Sequence, residues 1–259
     1  MAIAVKRALS LLELFTESLP EIGLSDAARL SGHDKATVHR LLNTLREADL
    51  VEQDSRTKLY RIGPGVLRLA RVRERSSPLV SLVQPLLDRL SAATGETSHF
   101  SLYIGNALVV VATTTSNRPT HVAMNKLETL PFHATASGLA FLAFCPPEVS
   151  DAILNQPLTN HTPWTVTDPK TLRQSFASIR DEGFGIADRT YGGFGIADRT
   201  YDEDVYGIAI PVFNPTGTIA IGAIAVVAPR HRMTEAAIAQ VKAELCSVGV
   251  ELQRATGKV

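Results

Sequence analysis

Residues 24–62, LSDAARLSGHDKATVHRLLNTLREADLVEQDSRTKLYRI, change from a helical to a strand-like apolar period within one short stretch, which constrains their architecture more than that of any other segment. Val38, Leu41, Leu42, Leu45 and Ala48 recur at the i, i+3, i+4, i+7 spacing of one apolar helix stripe. The opposite face carries Lys35, Thr37, His39, Arg40, Asn43, Thr44 and Arg46, with Glu47 and Asp49 only at its far end. Asp34 is placed to cap this helix and Ser25 to cap the one before it, since a short oxygen-bearing side chain accepts from an otherwise unpaired first-turn amide. Ser31-Gly32-His33 is the turn between them. Two strand-prone runs, 50–52 and 59–62, then flank Asp54-Ser55-Arg56-Thr57, a hairpin whose tip presents Arg56 and Lys58.

Helix, turn, helix and basic hairpin in this order predict a winged helix-turn-helix, with its second helix facing a major groove. The expected contacts to phosphates and base edges are Lys35, Ala36, Thr37, His39, Arg40, Asn43, Thr44, Arg56 and Lys58. Charge supports the same partner. The whole chain balances 26 basic against 26 acidic residues, yet residues 1–77 hold 13 basic and 10 acidic, leaving 13 and 16 for the remainder. Within 35–75 the count is 10 against 5. Basic charge gathered on one small unit is the footprint of a polyanion such as double-stranded DNA, and an excess this modest calls for two copies acting on one duplex.

The length of 259 residues suggests about two domains. Gly63-Pro64-Gly65 ends the hairpin, 66–75 reads as a linker helix, and Ser76-Ser77-Pro78 breaks it, because proline disfavours helix at the residue before it. The expected division is 1–63 for the winged helix-turn-helix, 64–77 for the linker helix and 78–259 for a second domain. The second domain opens with an amphipathic helix over 79–93, with Leu82, Leu86, Leu87 and Leu90 on its stripe and Gly95 closing it. Strands are expected at 97–104, 107–115 and 120–124, helices at 136–144 and 169–182, an antiparallel pair at 205–213 and 219–227, and a closing helix at 234–255. The sum is an α+β fold: an antiparallel sheet flanked by helices.

Other classes find little support in these residues. No apolar run approaches the roughly 20 residues a membrane helix needs, so a membrane partner is not expected. The N-terminal MAIAVKRALSLLELF has a basic pair inside its apolar stretch and no small-residue cleavage pattern, and reads as a first helix. Cys145 and Cys246 stand far apart without metal-ligand spacing, which fits a reducing, cytoplasmic setting. An enzyme is not expected: no nucleophile with its base appears, and Gly183-x-Gly185 lacks the third glycine of a dinucleotide fingerprint. His99, His121 and His133 have no accompanying H-x-x-x-H or C-x-x-C, so neither metal nor cofactor is expected, although a zinc-responsive regulator of the same fold is the competing reading.

Five stretches carry a resemblance to a known family: AVKRALSLL (4–12), KATVHRLL (35–42), LYRIG (59–63), FHATASG (132–138) and IAIPVF (208–213). Over essentially its whole length the chain resembles the IclR family of transcriptional regulators. That resemblance implies a winged-helix DNA-binding domain, a linker helix and a GAF-like effector-binding domain, assembled as a homodimer or homotetramer. It further implies a repressor of a catabolic operon that reads an inverted-repeat operator and responds to a small carboxylic acid. Ala36 stands where the family often has serine, which removes one phosphate contact.

The resemblance also implies an effector site beside 130–138, where an anionic group docks near Ala136 and Ser137, because the open amides and dipole of a helix start favour negative charge. The implied lining is His99, Ser101, Tyr103, Met124, Phe132, His133, Ala134, Thr135, Ala136, Ser137, Asp198, Tyr206, Gly207, Ala225 and Val227. Gly207, Ala225 and Val227 stand where some relatives carry serine or cysteine, which predicts an apolar, roomy pocket suited to an aromatic or hydrophobic acid. One further feature is a perfect repeat: GFGIADRTY at 183–191 recurs at 193–201. Identity at nine successive positions exceeds shared propensity and indicates a duplication of coding sequence. Asp188 and Asp198 are equal candidates for the acidic residue that the family places on the pocket rim. The extra copy reads either as a tolerated surface loop or as a remodelled rim.

Overall fold

The structure, a computed structural model, describes residues 2–16, 18–76, 79–181 and 194–256. It divides into two compact units, 1–78 and 79–259.

In the first unit, α1 (Ala2–Leu12), α2 (Leu24–Ser31) and α3 (Lys35–Glu47) enclose a small core, and β1 (Glu21–Ile22), β2 (Val51–Gln53) and β3 (Tyr60–Ile62) form a sheet in the order β1-β3-β2. The core is Leu11, Ile22, Ala27, Ala28, Val38, Leu41, Leu42, Leu45, Val51 and Tyr60. Ala48 departs from the expected stripe: it is exposed, because α3 ends at Glu47 and Ala48 is already the C-cap. Asp34 does cap α3, accepting from the Thr37 amide at 2.9 Å. Ser25 does not cap α2, which starts one residue earlier, at Leu24, with Gly23 as its N-cap and no side-chain cap. Arg61 on β3 sits between Glu21 and Glu52 of the flanking strands and pairs with both, a surface arrangement of modest energetic value. The unit ends in α4 (Gly65–Ser76), which exposes Leu67, Leu69 and Val72.

The second unit is a six-stranded antiparallel sheet between two layers of helix. Its strands are β4 (Thr97–Ile104), β5 (Ala107–Thr114), β6 (Thr129–Leu130), β7 (Gly195–Asp198), β8 (Val205–Phe213) and β9 (Ala220–Pro229), in the order β6-β5-β4-β9-β8-β7. Gly105 and Asn106 connect β4 to β5 with φ of 56° and 65°, the paired left-handed geometry of a two-residue hairpin turn. Alternation along the strands assigns the two faces. Phe100, Tyr206, Ile208, Ile210, Val212, Ile224, Val226 and Ala228 meet the helices α5 (Leu79–Thr94) and α9 (Glu235–Thr256). The α5 residues in that core are Val83, Leu86, Leu87 and Leu90; Leu82, expected on the stripe, is 38% exposed, and Val83 takes its place.

The other face receives α6 (Ala136–Phe144), α7 (Pro147–Leu154) and α8 (Pro169–Asp181). Small residues let α6 lie close on the sheet: Ala136, Ala140, Ala197, Ala209, Ala223 and Ala225 form one buried cluster. A Cβ on Gly195 would stand 2.2 Å from the Ala136 carbonyl oxygen, so β7 admits only glycine there. Thus the second copy of the repeat supplies β7, while the first copy and Asp188 lie outside the described residues. Among the described residues, no helix is long and apolar enough to cross a membrane.

The strand expected at 120–124 is absent; that segment is an irregular strap. The edge of β5 is taken instead by 127–130, through Leu127 N to Val110 O at 2.7 Å and Val110 N to Glu128 O at 2.9 Å. The strap is held by side chains: Thr97 Oγ1 donates to Val122 O at 2.8 Å, and Ser116 Oγ to Gly95 O at 2.7 Å. Beside it, buried Glu96 accepts two bonds of 2.7 Å from Arg232 and one of 2.9 Å from Arg118. Arg232 is mostly buried and Arg118 about half exposed, so Arg232 bears most of the loss if the carboxylate goes. Glu96→Ala should lower the unfolding free energy of this unit by about 2 kcal/mol, read from urea denaturation; a change under about 0.5 kcal/mol would show that Arg232 rehydrates freely.

Candidate functional site

In the first unit, the polar face of α3 is open. Lys35, Ala36, His39, Arg40 and Thr44 are exposed, while Thr37 and Asn43 are half-buried. Thr37 Oγ1 donates to Asp34 Oδ2 at 2.7 Å and Thr44 Oγ1 to the Arg40 carbonyl at 3.1 Å, so both hydroxyls keep acceptor capacity. Asn43 Nδ2 lies 3.3 Å from His39 Nδ1, one turn away on the same face. In the wing, Asp54 Oδ1 accepts from the amides of Arg56 (2.9 Å) and Thr57 (2.7 Å), and Lys58 takes the left-handed region at φ 61°. The hairpin tip is therefore a tight Asx turn with Arg56 and Lys58 exposed on it.

In the second unit, a cavity of about 420 Å³ opens between the start of α6, the strap and the strand ends. Of the expected residues it is lined by His99, Met124, Thr135, Ala136, Ser137, Gly207 and Val227. His99 is 2% exposed; its Nε2 lies 3.0 Å from Ser137 Oγ, and its Nδ1 is buried with no partner. Thr135 caps α6 by accepting from Gly138 N at 3.1 Å, and its own hydroxyl donates to Pro131 O at 2.8 Å.

Eight expected residues lie outside this cavity, for two kinds of reason. Parity removes Tyr206 and Asp198: each neighbours a lining residue, Gly207 or Ala197, and successive side chains point to opposite faces. Tyr206 joins the core under α5 and α9, and Asp198 pairs with Arg230 at 2.6 Å. The other six, on strands or in the turn before α6, are covered by packing. Ala225 lies in the alanine cluster under α6, and Ser101 is fully buried against Ala223 O. Tyr103 stacks on Phe141 at 4.9 Å and meets Phe132 edge-on at 6.1 Å, in the core beneath α6 and α8. His133 Nε2 bonds to Thr159 O at 2.8 Å, and buried Ala134 accepts from Thr200 Oγ1 at 2.7 Å.

Sequence reasoning missed Val122, Ala123, Glu128, Leu130, Ala197, Tyr201, Asp202 and Val205. Glu128, Tyr201 and Asp202 give an otherwise mostly apolar lining one acidic end. Among the described residues, no three His, Cys, Asp or Glu side chains are grouped to hold a metal ion.

Burial holds the His99 imidazole neutral, its pKa pushed down to about 4. The unfolded chain takes up this proton near 6.5, the folded chain only near 4, so the group costs nothing above pH 6.5 and destabilises the fold progressively as pH falls from 6.5 to 4. The full effect is about 3 kcal/mol. Melting temperatures of the wild type and His99→Phe across pH 4–7 should show a steeper acid-side decline in the wild type; parallel curves would show that His99 protonates without cost.

Two family models match this chain: the IclR helix-turn-helix domain over residues 4–55 and the bacterial transcriptional regulator IclR C-terminal domain over residues 74–254. The transcriptional repressor AllR of Escherichia coli K12 is 27% identical, covering 90% of this chain and 83% of its own. A solved IclR transcriptional regulator from Silicibacter sp. TM1040 superposes with a TM-score of 0.88 at 42% identity, over 98% of this chain and 96% of that one. An IclR homologue from Microbacterium hydrocarbonoxydans, complexed with 4-hydroxybenzoate, shares the fold with a TM-score of 0.71 at 24% identity, over 97% and 99% of the two chains. With the two models together spanning most of the sequence, and with the open α3 face and wing in place, the chain belongs to the IclR family of DNA-binding transcriptional regulators.

Proposed function

We propose that this protein represses a catabolic operon in the cytoplasm, binding an inverted-repeat operator as a homodimer or homotetramer and responding to a small organic acid held in the second unit's cavity. The observation that carries the DNA half is the exposed, basic face of α3, with Arg40 and Lys35 unobstructed beside a basic wing. The contacts proposed there are Lys35, Ala36, Thr37, His39, Arg40, Asn43, Thr44, Arg56 and Lys58. Repression follows the similarity to AllR. Ile3, Val5 and Leu9 on α1 and Leu67, Leu69 and Val72 on α4 are exposed apolar side chains, which supports association of subunits through the first unit.

The effector half rests on the cavity. Thr135 takes the amides of Gly138 and Leu139, which leaves those of Ala136 and Ser137 without a partner in the helix, and both residues line the cavity together with His99, whose Nδ1 is unpaired. A carboxylate there meets donors and the positive end of the helix dipole. A small acid bound by the Microbacterium homologue supports this class of ligand. Binding then acts by linkage: the acid prefers one arrangement of subunits, and that preference sets the spacing of two recognition helices on half-sites about one or more helical turns apart.

Gel retardation with the promoter region of the protein's own gene at low ionic strength, with and without a panel of carboxylic acids, tests both halves. Retardation that an acid reverses is the expected result; absence of retardation sinks the DNA half, and retardation that no acid alters sinks the effector half. A thermal-shift screen with the same panel identifies the acid, since a ligand well above its Kd raises stability by a few kcal/mol.

A further inference from the structure

We infer that the effector is a small zwitterion, with its carboxylate at the start of α6 beside Ser137 and His99 and an ammonium group against Glu128 and Asp202. This rests on the reading of the cavity as the effector site and adds the ligand's second charge.

The cavity has two electrically different ends. At one, Ala136 and Ser137 bring the open amides of α6, and the buried Nδ1 of His99 lacks a partner. Buried polar atoms are almost always satisfied in native proteins, so this atom marks a place for a bound group. The other end is built from Glu128, Tyr201 and Asp202. All three line the same cavity, and burial, then the Glu128 and Asp202 charges, push the Tyr201 hydroxyl above its ordinary pKa.

Among the described residues, no ion pair neutralises that end. Glu128 Oε2 accepts from the Asn125 amide at 3.1 Å and Asp202 Oδ1 from the Asp204 amide at 2.9 Å, and among the described residues neither has an ion-pair partner. No lysine or arginine among the described residues lines the cavity. Two arginines near this end are engaged elsewhere, Arg230 on Asp198 and Arg199 over the Trp164 ring at 4.3 Å. The backbone is also strained where it delivers the acids: Leu127, just before Glu128, has φ 69°, and Arg199, before Tyr201 and Asp202, has φ 61°. Such conformations in non-glycine residues persist where the surroundings impose them, commonly at binding sites.

Ligand chemistry follows from these charges. A dicarboxylic acid brings a third negative charge to the acidic end, and a plain monoacid supplies no counter-charge to the two carboxylates there. An ammonium group pairs with them and donates the hydrogen bonds they lack.

The test is calorimetric titration of the full chain with matched sets of three to six carbons: ω-amino acids from β-alanine to 6-aminohexanoate, the corresponding unsubstituted monoacids, and the corresponding dicarboxylates. At one chain length the amino acid should bind at least tenfold more tightly than its monoacid, with the dicarboxylate weakest. In Glu128→Gln/Asp202→Asn that advantage should vanish, the amino acid and its monoacid binding within about twofold of each other. Asp202→Asn alone, at an exposed position, carries the same test at half strength if the double variant melts early. Amino acids that never exceed their monoacids, or an advantage that survives both substitutions, would overturn the zwitterion while leaving an acid sensor. If no compound in any set binds, the zwitterion falls, and the effector-site reading falls with it only when no acid of the wider panel binds either.

Discussion

Replacing Arg40 by alanine should weaken operator binding by about 10- to 100-fold per half-site with no change in melting temperature. Arg40 is exposed, and among the described residues its side chain makes no hydrogen bond or ion pair, so truncation removes nothing that holds the fold. What it removes, in the proposed reading, is a fork of donors facing base edges, and one good bidentate base contact contributes about 1–3 kcal/mol. Lys58→Ala in the wing supplies the contrast. A phosphate contact carries no sequence information, so its loss should weaken specific and unrelated duplexes alike and lower the salt slope by about 0.9. Fluorescence anisotropy at two salt concentrations, with operator and scrambled duplexes, separates the two. Equal losses for both DNAs in Arg40→Ala would move Arg40 to the backbone; unchanged affinity would remove α3 from the groove.

Gly138→Ala should lower the melting temperature of the second unit by about 10 °C, although helix propensity favours the substitution by about 1 kcal/mol. An added Cβ would lie 2.2 Å from the Phe132 carbonyl oxygen and 2.5 Å from its Cα. Both are backbone atoms, so no side-chain rotation relieves the overlap. The segment cannot swing away cheaply, because Thr135 holds it to Pro131 O while capping Gly138 N, and Phe132 is packed with Tyr103 and Phe141. Losing the cap costs about 1 kcal/mol and repacking about 1–3 kcal/mol, with the displaced backbone adding to these. The clash therefore outweighs propensity, and at about 2–4 °C per kcal/mol for a unit of this size the shift is large. Calorimetric unfolding checks it. A variant as stable as the wild type would show that the 131–135 turn yields easily.

The pieces that sequence reasoning placed best are those whose signal is local. Val38, Leu41, Leu42 and Leu45 mark α3 by period, and Asp34 marks its start; the strands at 97–104 and 205–213 emerged with the expected bounds. The failures were also physical. The run at 120–124 is strand-prone, but its place on β5 is occupied by 127–130, a competition between distant segments that no local pattern registers. Short elements escaped as well: α7 has only eight residues behind two prolines, and β6 only two.

The same division runs through the cavity. Alternation alone establishes that Tyr206 and Gly207, or Ala197 and Asp198, face opposite sides of the sheet, but which side encloses the cavity depends on α6 packing closely on the alanine face while α5 and α9 cover the other. Residues at Ala136 and Ser137 were legible because a helix start announces itself in sequence. Glu128, Tyr201 and Asp202 were not, because they belong to loops whose convergence is set by long-range contacts and by left-handed turns at Leu127 and Arg199. Sequence by itself determined the long elements, the family and the open polar face of α3, since periodicity, capping and charge act over a few residues. Only the tertiary structure decided which faces enclose the cavity and that one of its ends is acidic, because that outcome belongs to packing between segments far apart in the chain.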